Sequence, residues 1–214
     1  MATQHEFRIQ TIVCHDGNAC AFEVLNKNPA LFASADEGFI LEADLQAMSF
    51  AIELSKCWPG NIHFNMEATS LLNVGDLTHD SSHARVVVEI VERGLDTLSD
   101  ANIKKLIKKL VAFKEAGFQL AMDDATWTQR EQLIFKSVEP NYIKTVDWLS
   151  LADVSVQSGK TVIIAEMIEN QTLADVARTL GADLLQGYHY ETPAFAESLA
   201  EAINDRRRKN AIAA

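Results

Sequence analysis

Short runs of apolar and β-branched residues recur along the chain and constrain its fold more than any other feature. In order, they are FRIQTIV from Phe7, ACAFEVL from Ala19, NIHFNME from Asn61, ARVVVEIV from Ala84, FQLAMDD from Phe118, NYIKTV from Asn141, TVIIAE from Thr161 and ADLLQGY from Ala182. Several runs are almost continuously apolar, which is typical of strands covered on both faces, as in a parallel sheet. We therefore predict about eight strands, most of them parallel.

Helical patterns lie between these runs. Residues Glu42–Cys57 carry apolar side chains at helical spacing, and Asp100 can cap a second helix that stops at Gly117. Asn170 can cap a third helix, which ends at Gly181. Alternating strands and helices predict the α/β class. With about eight strands, a closed, modified TIM-type (β/α)8 barrel is favoured over an open sheet.

The beginning of the barrel is expected to be irregular. The turn HDGN between the first two strands is too short for a crossover helix, so these strands are predicted to form a hairpin with an antiparallel first strand. No GxGxxG or GxxxxGK[ST] motif follows an early strand, which argues against Rossmann-type and P-loop sites. Because 4 Pro and 9 Gly are spread without a break in composition, we expect one domain over residues 1–214.

Charge and cysteine content narrow the class of protein. A net charge of −11 without a basic stripe argues against binding to duplex nucleic acid, because phosphate contacts need clustered Lys and Arg. Three cysteines without CxxC spacing indicate a reducing compartment. The start lacks the pattern of a signal peptide, and no apolar run has membrane-spanning length. We therefore expect a cytoplasmic protein that does not contact a membrane.

Polar side chains stand at or near the carboxyl ends of seven consecutive predicted strands. They are Glu23, Asn65, Glu89, the adjacent pair Asp123 and Asp124, Lys144, Glu166 and Gln186. One acid inside a strand is usually a local accident, but a series at the same end of successive strands is not. In a (β/α) barrel these ends meet at one rim, where such enzymes place their active sites. We predict the candidate site at this rim.

The types of residue at the rim favour metal chemistry. Glu23, Asn65, Glu89 and Asp123 offer oxygen ligands without any His, which suits Mg²⁺ or Mn²⁺ better than zinc. Asp124 is expected to contact a second cation, with Asp123 bridging the two. A site with two metals activates water and stabilises the leaving oxygen of a phosphodiester. The adjacent acids are then tolerable because cations lie between them.

Other polar and aromatic residues receive simpler interpretations. Lys144 is expected to orient the attacking water or to balance phosphoryl charge, and Glu166 to hold a water or Lys144. His63 and His83 are interpreted as structural or exposed residues rather than metal ligands. Glu92 and Glu169 are interpreted as loop-supporting residues, and Trp127 and Trp148 as packing or dimer-surface residues. Tyr188 is expected either to line a ligand cleft or to pack in the core.

In its strand-end motifs, the chain resembles the EAL domain family of bacterial phosphodiesterases, which hydrolyse cyclic di-GMP. The matching segments, between about Phe7 and Pro193, are FRIQTIV, FEVL, NMEATSLL, EIVE, LAMDD, NYIKTV, IIAEMIE and LLQGYHYETP. The resemblance implies a (β/α) barrel with irregular early strands. The implied metal ligands are Glu23, Asn65, Glu89, Asp123 and Asp124. The implied catalytic residues are Glu23, Asp124, Lys144 and Glu166, and the residues assigned to ligand binding are Gln10, Lys27, Gln186 and Tyr188.

Several positions depart from the family pattern. The loop after the paired acids reads DDATWTQ where the family has DDFGxG, so without glycine it must follow another path. Lys27 replaces an Arg that meets ligand phosphate, which keeps the charge and loses the bidentate fork. Val146 and Met167 replace the Asp and the Gly of the next two motifs.

Two functions from different classes follow from this comparison. The first is a metal-dependent phosphodiesterase that opens cyclic di-GMP to linear pGpG, and the changed loop is typical of relatives with weak activity. The second is a catalytically inactive EAL-like module that binds cyclic di-GMP or a protein partner as a regulator. A barrel enzyme for another phosphoester is a third interpretation. The family often pairs near the loop after the paired acids, which implies a homodimer.

Overall fold

The computed structural model describes residues 5–28, 31, 34, 36–91, 94–147 and 160–213, and Glu92 and Trp148 lie outside these ranges. Within the described residues, eight strands close into a barrel in chain order. They are β1 Phe7–Val13, β2 Ala19–Asn26, β3 Asn61–Glu67, β4 Val86–Val91, β5 Gln119–Met122, β6 Tyr142–Thr145, β7 Val162–Ala165 and β8 Leu184–Gln186. The predicted (β/α) barrel is confirmed.

The first strand is antiparallel to both of its neighbours. It pairs with β2 from Phe7↔Asn26 to Ile12↔Ala21, and Ile12 also pairs with Gln186 on β8. The hairpin turn is closed by a hydrogen bond of 3.0 Å from the Cys14 N–H to the Asn18 carbonyl. The remaining pairs, from β2–β3 to β7–β8, are parallel. The predicted irregular, antiparallel first strand is therefore confirmed.

Helices lie on the outside of the barrel. They are α1 Glu37–Ser55, α2 Ala68–Asn73, α3 Asp100–Glu115, α4 Gln129–Val138, α5 Gln171–Thr179 and α6 Ala194–Ala213. Ser99 caps α3 through a 3.2 Å bond from the Asn102 N–H, so the predicted cap at Asp100 is wrong by one residue. The cap at Asn170 is as predicted. No helix in the described ranges is long and apolar enough to cross a membrane.

Strand alternation divides the side chains between two cores. On β3, Ile62, Phe64 and Met66 belong to the large core between the strands and the helices. The intervening residues, including His63 and Asn65, have the opposite parity and face the lumen. A small apolar cluster, made only of strand residues, fills the lower lumen with Ile12, Ala21, Val87, Ala121, Tyr142 and Ile164. The candidate site lies above this plug, at the carboxyl ends of β2 to β8.

Candidate active site

Alternate strands contribute alternate layers of side chains to the upper lumen, as in other closed barrels. The even strands contribute Glu23, Glu89, Lys144 and Gln186, all less than 5% exposed. The odd strands contribute Gln10, Asn65, Asp123 and Glu166, which are partly exposed. The structure thus brings together seven of the strand-end residues predicted from sequence, and Gln10 from the antiparallel strand joins them.

The Lys144 ammonium lies at the centre of the cluster. Its Nζ atom is 2.9 Å from Glu89 Oε2, 3.0 Å from Asp123 Oδ1, and 3.1 Å from both Glu23 Oε2 and Glu166 Oε1. Burial alone would lower the pKa of Lys144, but the four carboxylates outweigh it and raise that pKa well above its ordinary value. The four carboxylates therefore favour the protonated, positively charged form of Lys144 in the lumen.

Glu23 is the most firmly held of the acids. Its carboxylate accepts a hydrogen bond of 2.6 Å from Asn65 Nδ2 and one of 2.5 Å from Gln186 Nε2, in addition to the Lys144 contact. The same Gln186 amide lies 3.3 Å from Gln10 Oε1. Burial raises the pKa of Glu23, but the Lys144 charge and these donors outweigh it and lower the pKa to about 2. Glu23 is therefore ionised at neutral pH.

The other acids in the cluster are held in conditions that disfavour their ionisation. Burial raises the pKa of Glu89 well above its ordinary value, and the Glu23 charge raises it further. Burial also raises the pKa of Asp123, and raises that of Glu166 to about 8, with neighbouring carboxylates adding to both shifts. Four carboxylates, those three and Glu23, contact one ammonium, and Asp124 adds a fifth at the edge of the cluster. If all ionise, the cluster has a charge of 1 − 5 = −4.

This donor set fits divalent cations. Its ligating atoms are oxygens, which Mg²⁺ and Mn²⁺ prefer. Asn65 Oδ1 is buried and accepts no hydrogen bond from the described residues, so a carbonyl oxygen stands ready as a ligand. Two divalent cations would offset the excess charge. As placed, the carboxylates converge on Lys144, and no three His, Cys, Asp or Glu in the described ranges form a preformed metal cage.

Three predicted residues lie at the edge of this cluster or away from it. Asp124 follows Asp123 with a left-handed backbone at φ 44°. Lys27 Nζ lies 2.6 Å from Glu201 on α6 and 3.9 Å from Glu6, so in this conformation its charge is engaged outside the cluster. Tyr188 is 78% exposed, which excludes the core position considered for it.

The loop after the paired acids takes a path built around Glu131, which sequence reasoning missed. The buried Glu131 carboxylate accepts hydrogen bonds from the Thr128 N–H at 2.6 Å and from the Thr126 N–H and hydroxyl at 3.4 Å. Thr128 and Glu131 form a capping box at the start of α4. Positive φ falls on Trp127 at 63°, and its ring packs on Phe135. The TxxE spacing was the signal available in the sequence.

His63 is a second residue whose position was not predicted in detail. It is fully buried, and its Nδ1 lies 2.8 Å from Glu89 Oε1. The interpretation as a structural residue left this contact open. The available signal was parity, because His63 is two residues before Asn65 and so faces the same lumen.

A cavity of about 280 Å³ opens beside the cluster. Asn65, Asp123 and Asp124 line one side of it, and α1 contributes Asp44 to the other. Asn26, Glu67 and several apolar residues complete the lining. A ligand in this cavity would therefore contact both polar and apolar side chains.

Met167 occupies a strained position on the rim, next to Glu166. Its φ is +57°, and its side chain is 56% exposed, so little packing offsets the left-handed backbone. We expect Met167→Gly to raise the free energy of unfolding by about 0.5–1 kcal/mol, because relief of roughly 1–2 kcal/mol exceeds the added chain entropy. Denaturant unfolding measures this change. Val146→Gly, at an exposed rim position without positive φ, is the matched control and should destabilise; stabilisation by both variants would contradict the explanation.

Comparison with known proteins agrees with the barrel fold. No family model matches the chain. The chain is 24% identical over 177 residues to the cyclic di-GMP phosphodiesterase PdeF of Escherichia coli, covering 76% of this chain and 22% of PdeF. BlrP1 of Klebsiella pneumoniae, in a complex with calcium and cyclic di-GMP, superposes with a TM-score of 0.68 and 22% identity over 88% of this chain and 57% of that one.

A third relative is nearly the same length as this chain. The EAL domain of FimX from Pseudomonas aeruginosa, bound to cyclic di-GMP, has a TM-score of 0.70 and 16% identity, covering 88% of this chain and 90% of that domain. The chain thus spans a fraction of PdeF and little more than half of BlrP1. The chain has the fold of an EAL domain, and the resemblance predicted from its strand-end motifs is confirmed.

Proposed function

We propose that this chain is a phosphodiesterase that depends on divalent metal and hydrolyses cyclic di-GMP to linear pGpG. The observation that carries the proposal is the convergence of Glu23, Glu89, Asp123 and Glu166 on Lys144 at the rim. A structural ion pair needs one acid for one base. A surplus of buried carboxylates has a stability cost that a catalytic site would explain.

The metal ligands in this proposal are Glu23, Asn65, Glu89, Asp123 and Asp124. BlrP1 has been solved in complexes with calcium or manganese together with cyclic di-GMP, which supports divalent metal use at such a site. Mg²⁺ or Mn²⁺ held there would supply Lewis-acid stabilisation of charge on the phosphoryl oxygens.

The protein side chains orient and balance the reacting groups. Lys144, with its raised pKa, stays protonated and offers positive charge and a donor to an attacking water or a phosphoryl oxygen. Glu166 shares that ammonium at 3.1 Å and, in its ionised form, can accept a proton from water at the rim. Gln186 and Asn65 hold the Glu23 carboxylate in one orientation. The adjoining cavity is the proposed place for the nucleotide.

An assay of nucleotide turnover tests the proposal. Purified protein is incubated with cyclic di-GMP and Mn²⁺ or Mg²⁺, and the products are separated by chromatography. Linear dinucleotide is expected from the wild type. Glu23→Gln should lower the rate by at least about 10–100-fold, because it removes a charged ligand that three donors position. Glu197→Gln, an exposed glutamate on α6, is the control and should leave the rate unchanged.

The alternative is an EAL-like module that binds cyclic di-GMP or a protein partner without turnover. Two observations favour it: the rebuilt loop after the paired acids, and the engagement of Lys27 by Glu201. Absence of product with either metal would overturn the phosphodiesterase. Calorimetric titration with cyclic di-GMP would then separate a nucleotide sensor, which binds, from an adapter for proteins, which does not.

A further inference from the structure

His63 stands in an otherwise apolar layer directly below the acids. It is 0% exposed and faces the lumen from β3, where the side chains of like parity on the other odd strands are Ile12, Ala121 and Ile164. A buried imidazole in such surroundings requires a partner to offset its desolvation. Its position therefore calls for a specific role.

The partner is the carboxylate of Glu89. His63 Nδ1 lies 2.8 Å from Glu89 Oε1, and the other oxygen, Oε2, lies 2.9 Å from Lys144 Nζ. Both Glu89 oxygens are thus held, one from below by the ring and one by the ammonium. The edge of the ring packs against Tyr142, with centroids 4.9 Å apart.

The surroundings select one tautomer of the ring. A bond to the ionised Glu89 requires the proton on Nδ1, since an ionised carboxylate offers lone pairs only, and the Lys144 ammonium 2.9 Å from Oε2 favours that ionised form. His63 Nε2 is buried and has no hydrogen-bond partner among the described residues. The other tautomer would set lone pairs against each other at Glu89 and bury an N–H without an acceptor, and this is the costlier arrangement.

We propose that His63 is a positioning residue that donates from Nδ1 to Glu89 and fixes the rotation of that carboxylate toward the candidate cation site. The inference rests on the metal site of the proposed function. Hydrogen bonds to a ligating carboxylate orient it and change metal affinity or activity by about 10–100-fold. Glu89, on the fully buried layer, has no other described side-chain donor besides Lys144.

The hydrogen bond is tested first in the metal-free protein. Long-range ¹H–¹⁵N correlation spectra of the imidazoles report which ring nitrogen carries the proton, and His63→Asn identifies the His63 signals by their loss. We expect the proton on Nδ1. A proton on Nε2 would overturn the proposal, whatever the protein does to cyclic di-GMP.

The consequence is tested by calorimetric titration with Mn²⁺. His63→Leu should weaken Mn²⁺ binding by about 10–100-fold. His63→Asn, whose amide lies near the position of Nδ1, should recover most of the affinity. Tyr142→Phe is the matched control, because it keeps the ring that packs on His63 and removes only a hydroxyl that accepts from Asn61, and it should bind as the wild type does. Wild-type affinity in His63→Leu would overturn the proposal.

Two further outcomes are distinguishable. If His63→Leu does not fold, Asn and Gln are compared, since Gln places its amide nearer Nε2; equal affinities would contradict a role for Nδ1. Weaker Mn²⁺ binding in His63→Leu, with no turnover of cyclic di-GMP by wild type, would support the positioning role while the proposed function fails. Turnover of cyclic di-GMP by the wild type, with unchanged Mn²⁺ binding in His63→Leu, would support the proposed function and overturn the positioning role of His63.

Discussion

Replacing Lys144 with methionine is expected to destabilise the metal-free protein by about 3–5 kcal/mol, the usual cost of removing one partner from a buried ionic cluster. Methionine has a similar length and no charge, so the change leaves four carboxylates within a few ångströms of one another. These groups must then take up protons or repel. We expect Mn²⁺ to stabilise Lys144→Met more than it stabilises the wild type, because the cation replaces the missing charge.

Chemical denaturation with and without Mn²⁺ measures both effects. Lys27→Met is the matched control, because Lys27 forms a solvent-exposed pair with Glu201 and should cost no more than about 1 kcal/mol. Equal losses from the two variants would show that Lys144 is not the central counter-charge. Loss of turnover in Lys144→Met at saturating Mn²⁺, in a protein that is folded, would support its part in the proposed reaction.

Stability of the metal-free protein is expected to fall as pH rises from about 6.5 to 8. Burial raises the pKa of Glu166 from 4.5 to about 8, so the folded state keeps a proton that the unfolded state has lost. A raised carboxyl pKa favours folding below it, and that stability is lost as pH approaches it. For Glu166 alone, the loss over this window is roughly 2 kcal/mol. Glu89 and Asp123 shift in the same direction.

Below pH 6.5 an opposing contribution enters. Burial lowers the pKa of His63 from 6.5 to about 3, so the unfolded state binds a proton that the folded state does not. Stability from this group falls as pH decreases through 6.5, which offsets the gain from Glu166. Glu23, with its pKa lowered to about 2, adds a loss only in the acid range below 4.5.

Thermal unfolding between pH 6.5 and 8, with a chelator or with Mn²⁺, tests this dependence. The unfolding temperature should fall with rising pH in chelator and change little with pH in Mn²⁺, since a bound cation favours ionised carboxylates. Glu166→Gln should reduce this pH dependence in chelator, and Glu197→Gln should not. If neither Mn²⁺ nor Glu166→Gln changed the pH dependence of the unfolding temperature, the raised pKa of Glu166 would not be its cause.

The barrel and the composition of its rim could be derived from local sequence. Apolar runs at regular intervals place the strands, and the parity within each strand decides which side chains face the lumen. Because parallel strands bring their carboxyl ends to one edge, Glu23, Glu89 and Lys144 had to meet once the barrel closed. No knowledge of distant contacts was needed for that conclusion.

Contacts between side chains that are far apart in sequence required the tertiary structure. Lys27 matches a ligand-binding position, yet Glu201 on α6 lies 2.6 Å from its ammonium. No residue near Lys27 in the sequence indicates that partner. The loop after Asp124 depends on whether the carboxylate of Glu131 folds back beneath it.

The sequence by itself determined the class of fold, the irregular first strand and the residues that line the rim, because strand period and strand order are local properties. Only the tertiary structure decided how charge is distributed there. The depth of burial and the closure of strands β2 to β7 around the lumen set Lys144 among four acids and His63 beneath Glu89. The pKa of a buried group depends on all charges around it, and those come from distant strands: Lys144 and Glu23 are 121 residues apart.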